Sequence, residues 1–97
     1  MSERIANIQK AVEEHAGCAA THRESAPVTE GYLDEIAWEG VVEVFDLDGH
    51  PKAKRCYGWH YEDENGKKLG KIVLEIPPVD SPQTAVRVSV AAKAREK

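Results

Sequence analysis

Ile5, Ile8, Val12 and His15 recur at three- and four-residue intervals, the stripe by which an amphipathic helix buries one side. Ser2 stands where an N-cap belongs and Gly17 where a left-handed residue ends a helix, so a helix is expected over residues 3–16. From Cys18 to Tyr32 the chain favours strand through Thr21, Val28, Thr29 and Tyr32. Pro27 lacks a ladder donor, which predicts an edge strand interrupted at Ala26-Pro27. Leu33-Asp34-Glu35 then turns the chain. Residues 38–45 are β-branched and aromatic and end in the turn-rich run from Asp46 to Pro51, so they read as a strand. Arg55 to Tyr61 alternates aromatics with small or polar residues, the period of a strand with two different faces. Residues 69–76 supply a further strand. Ser81 as cap and Pro82 at the first helical position predict a second helix over 82–95, with Lys93, Arg95 and Lys97 near its negative pole. The alternation Val86-Arg87-Val88-Ser89-Val90 would also suit a strand; the capping signals decide for helix.

Asn65-Gly66 is a strong hairpin signal because a type I′ turn needs positive φ at both central positions. A two-residue loop there makes paired numbers sum to 131, setting Trp59 against Ile72, Tyr57 against Leu74, His60 against Lys71 and Cys56 against Glu75. For the preceding hairpin, loops at 48–49 or 48–51 give sums of 97 or 99, which share one parity. Trp38, Val42 and Val44 then join Tyr57, Trp59, Ile72 and Leu74 on one apolar face. The expected fold is a single α+β domain over 1–97. It is a two-layer α-β-β-β-β-α arrangement: a four-stranded antiparallel meander, both helices on the apolar face, the opposite face open.

Composition keeps this picture. At 41% hydrophobic and 31% charged residues the chain is an ordinary globular sequence. No apolar run reaches the roughly 20 residues of a membrane helix, and the start of the chain lacks a signal-peptide core. A cytoplasmic protein with free thiols and no membrane contact is the expectation. Residues 1–52 carry 4 Lys/Arg against 11 Asp/Glu, and residues 53–97 carry 9 against 6. A net charge of −4 gives little electrostatic drive toward nucleic acid. The helix–strands–helix order resembles the double-stranded-RNA-binding fold in topology. That resemblance implies a basic cluster at the start of the second helix, and Asp80 to Thr84 has no lysine, so nucleic acid is not an expected partner.

His15, Cys18 and His22 are metal-ligand types but match no compact zinc spacing. Cys56 and His60, at i and i+4 of a strand, stand about 13 Å apart given a rise of about 3.3 Å per residue. Neither a metal nor a cofactor is expected. His60 shares its expected face with Glu39 and Glu75, and a histidine beside a carboxylate, with Cys56 as nucleophile, is the pattern of a small enzyme or ligand-binding domain. Against it, the open face of a flat sheet excludes water poorly. Val41, Phe45, Cys56 and Val73 form instead an apolar strip rimmed by charge, as association surfaces are. The expectation is a small non-enzymatic binding or assembly module, self-associating as a homodimer or taking a protein partner through that open face. The His60–carboxylate site is the alternative.

Overall fold

A computed structural model describes residues 3–62 and 65–95, the side chains of 32 and 93–95 excepted. Its elements are α1 (Glu3–Ala16), β1 (Ala19–Tyr32), β2 (Glu35–Asp48), β3 (Arg55–Glu62), β4 (Lys68–Leu74) and α2 (Pro82–Arg95). The strands pair antiparallel in the order β1-β2-β3-β4. The α+β class, the order of elements and both helix spans follow the sequence pattern. Ser2, expected to cap α1, and the side chains of Lys93, Arg95 and Lys97 lie outside the description.

Each helix has its expected stop or start. Gly17 ends α1 at φ 71°, its N–H donating to the Glu13 carbonyl at 2.9 Å. Ser81 caps α2, its Oγ accepting from the Thr84 N–H at 3.2 Å, while Thr84 Oγ1 accepts from the Ser81 N–H at 2.9 Å. This reciprocal cap settles 82–95 as helix over the strand-like alternation inside it.

β1 and β2 form a long hairpin closed by Leu33 and Asp34, at φ 52° and 67°, with Tyr32 opposite Glu35. β1 is not interrupted at Ala26-Pro27: Pro27 stays in the ladder opposite Val41. An edge strand turns alternate N–H groups outward, so a proline there need not break pairing. The irregularities fall at Arg23, an extra residue in β1, and at Ala37, an extra residue in β2.

The β2–β3 register keeps the expected parity, with Val44 opposite Tyr57 and Phe45 opposite Cys56. The β3–β4 register does not. Glu62 pairs with Lys68 and Trp59 with Lys71, so paired numbers sum to 130, and Ile72 faces Gly58 while Leu74 faces Cys56. An odd number of residues separates Glu62 from Lys68, where the Asn65-Gly66 signal implied an even one. A slip of one residue moves every β4 side chain to the other face.

The helices consequently lie on opposite faces, and the two-layer arrangement with both helices on one face is corrected to three layers. Ile8 and Val12 of α1 pack with Ala20, Phe45 and Cys56, joined by Ile72 and Leu74. Ala85 and Val86 of α2 pack with Val28, Val42, Val44, Tyr57 and Trp59. With Ile72 and Leu74 on its side, the face expected to be open carries enough apolar surface to seat a helix. Burial of each such aliphatic side chain stabilises by roughly 1.5–3 kcal/mol.

Gly58 marks where α1 sits. A Cβ there would lie 2.6 Å from Ile8 Cγ2 and 3.2 Å from Ile72 Cδ1, whereas one at Gly70 would meet only His60 Cδ2, at 3.8 Å. Gly58→Ala is expected to cost about 1–3 kcal/mol through overpacking, and Gly70→Ala to stay within about 0.5 kcal/mol of wild type. Urea unfolding of the two variants checks this; equal midpoints would contradict the seat of α1.

Candidate functional site

The residues expected to share an open face are distributed through the fold. Cys56 is fully buried beneath α1, and burial pushes its thiol up to about 12. Phe45 is buried beside it. His60 is exposed and faces Gly70 in the ladder. Glu39 accepts from Thr29 Oγ1 at 2.9 Å on the projecting hairpin. Glu75 accepts from the Tyr57 hydroxyl, and Tyr57 packs under α2, on the opposite side of the sheet from Cys56. Val73 packs against the α2 core, and Val41 alone of the four interface candidates stands at the surface of the α1 side, 38% exposed. His22, a residue of metal-ligand type, is committed to Glu43. Among the described residues no three His, Cys, Asp or Glu side chains gather as a ligand set.

Two buried glutamates tie the helices down instead. Glu43, with no exposed surface, accepts from Arg4 of α1, from Ser25 Oγ and, at 2.9 Å, from His22 Nε2. Burial opposes its charge, but the hydrogen bonds of Ser25, His22 and Arg4 outweigh that and hold its carboxyl below the ordinary value of 4.5. On the other face Glu30 accepts from Arg87 Nε at 2.7 Å and from Gln83 Nε2 at 3.0 Å, both of α2. With every donor placed, these are structural carboxylates.

The concave feature of the α2 side arises where the sheet splays. The β2–β3 ladder ends at Glu43–Gly58; beyond it β2 continues beside β1 alone and β3 beside β4. A cleft of about 310 Å³ opens there, floored by Ala37, Trp38, Trp59 and Tyr61 and walled by Val86, Ser89, Val90 and Ala92 of α2, with Glu62 and Lys71 also bordering it. The extra residue Ala37 puts two successive β2 side chains, its own and that of Trp38, against the same space. Trp38 lies over Gly40, where a Cβ would come within 2.8 Å of Trp38 Cζ2. The Trp38 and Trp59 rings sit 5.9 Å apart, tilted by 52°. Three of the chain's six aromatic residues thus border one space.

On the α1 side the β1–β2 hairpin runs past the helix. Leu33 at its tip is 79% exposed and Ile36 is 64% exposed. Compared with known proteins, the chain matches no family model, no curated protein and no solved structure.

Sequence reasoning placed Trp38 and Trp59 in the core, which they do line, and so passed over the cleft they border. No residue pattern signals the cleft, because it forms where the β2–β3 ladder ends.

Glu43 yields a pH prediction. Its folded carboxyl titrates below 4.5, so the stability it contributes is complete above that value and is lost as pH falls through the lower folded value. Glu43→Gln is expected to cost about 1–3 kcal/mol at pH 7 by weakening charge-assisted bonds, and to flatten the acid limb of stability against pH. An unchanged acid limb in chemical denaturation across pH 3–7 would show that Glu43 is not the latch.

Proposed function

We propose that this chain is a small non-enzymatic binding module whose site is the cleft between α2 and the splayed end of the sheet. One observation carries the reading: about 310 Å³ of concave space bordered by Trp38, Trp59 and Tyr61, with Glu62 and Lys71 beside it. Ligand sites are concave and combine aromatic side chains with polar groups, and this volume lies at the small end of their range. Binding is favoured over catalysis because Cys56, the candidate nucleophile, is fully buried, and Glu75 is engaged by Tyr57 away from His60. Neither arrangement puts a base beside a reachable nucleophile.

Screening small aromatic, carboxylate and ammonium fragments by amide and indole N–H spectra is expected to shift Trp38 and Trp59 together. Trp38→Ala should weaken the best fragment by about tenfold or more, the scale of a buried aromatic anchor. Shifts centred on His60, with the indole signals unmoved, would favour the histidine site and overturn the cleft.

A second reading rests on the hairpin. Leu33 holds a positive φ that a bulky residue adopts at a cost, and is 79% exposed beside Ile36. With Val41, also exposed, these apolar side chains offer a surface suited to self-association. Sedimentation at high micromolar concentration is expected to show a dimer that Ile36→Lys dissociates. A strict monomer ends this reading and leaves the cleft untouched.

A further inference from the structure

Building on the cleft as a binding site, we infer that its occupant is a second copy of this chain, entering with the tip of its β1–β2 hairpin, Leu33 to Ile36. Leu33 and Ile36, at 79% and 64%, are the two most exposed large apolar side chains among the described residues. Leu33 also holds φ at 52° and Asp34 at 67°. Two-residue turns with such angles favour Asn-Gly or Asp-Gly, and a bulky leucine adopts them at a cost. Leu33 thus combines an unfavourable backbone with an unfavourable surface, and burial in a partner offsets both.

The cleft matches this tip in composition and size. Ala37, Trp38, Tyr61 and Val90 give its lining apolar and aromatic surface that is exposed or half-buried, and Lys71 and Ser89 add an ammonium and a hydroxyl. The tip is mixed in the same way, with the exposed carboxylates of Asp34 and Glu35 between its two aliphatic side chains. A cavity of about 150 Å³ holds a benzene-sized group, so about 310 Å³ has room for a leucine side chain and a carboxylate beside it. Charge selects a second copy as the occupant. The hairpin belongs to residues 1–52, with 4 Lys/Arg against 11 Asp/Glu, whereas Lys71 and α2 belong to residues 53–97, with 9 against 6. A tip entering a cleft brings Asp34 and Glu35 toward Lys71, while tip against tip would set these carboxylates against each other. Knob and hole are different patches, so every copy offers both.

Complementation between full-chain variants tests this. Leu33→Asn removes the knob at a position whose backbone suits asparagine. Ala92→Glu narrows the cleft and repels the tip, and Lys71→Glu repels it by charge alone; both positions are exposed. Wild type is expected to self-associate in sedimentation, and each variant alone to weaken this by about tenfold or more, the scale of a central anchor. An equimolar mixture of Leu33→Asn with either cleft variant should recover a complex, because one partner keeps the hole and the other the knob. In that mixture the Trp38 indole signal of labelled Leu33→Asn should move. No recovery on mixing would overturn the inference in favour of contact between like tips, and so would a complex that leaves that signal unmoved. Self-association that survives both Ala92→Glu and Lys71→Glu would overturn it as well. A monomeric wild type also ends it; fragments that still shift Trp38 in that monomer leave the cleft as a site, and only their failure removes the cleft itself.

Discussion

Both helical layers depend on one seam, the pairing of β4 with β3 that sets Ile72 against Gly58 and Leu74 against Cys56. Because side chains alternate at every residue, this register hands the aliphatic row of β4 to the face that also holds Phe45 and Cys56. That face becomes apolar enough to take α1. The other face keeps Val42, Val44, Tyr57 and Trp59 and takes α2. Gly58 completes the fit by leaving room for Ile8 where a methyl group would collide.

Hydrophobic burial brings the helices to the sheet, and two buried carboxylates fix where they rest. Glu43 receives Arg4 from α1, and Glu30 receives Arg87 and Gln83 from α2. A buried carboxylate is tolerated only when its hydrogen bonds are filled, and each of these draws partners from a helix. The arrangement ties each helix to the sheet through charge-assisted bonds. It also uses His22 and Ser25, which a ligand site would otherwise have available.

Much of the architecture was legible in the residues because it rests on local rules. Gly17, Ser81 and Pro82 delimit the helices, and the alternation around Val44 and Tyr57 gives the parity of the central hairpin. What sequence did not reveal was non-local. Asn65-Gly66 names a turn but not the number of residues looped out around it, and that number alone decides the side on which Ile72 and Leu74 fall. Once the parity was inverted, Glu75 and Val73 passed to the α2 side, and the face that keeps His60, Cys56 and Glu39 was no longer open, because α1 covers Cys56 there. The cleft was illegible for a related reason: it forms where β2 and β3 part company beyond Gly58, and no residue pattern marks the end of a ladder.

The site follows from the same geometry. With α1 seated on one face, an aromatic-bordered concave space lies beside α2 on the other. The placement of Ile72 therefore decides which face each helix takes. Methyl-selective NOE spectroscopy of the full chain measures it directly. NOEs are expected from the Ile72 δ-methyl to Gly58 and to the methyls of Ile8 or Val12. NOEs from Ile72 to the Trp59 ring and Val86 instead would return both helices to one face and contradict this placement.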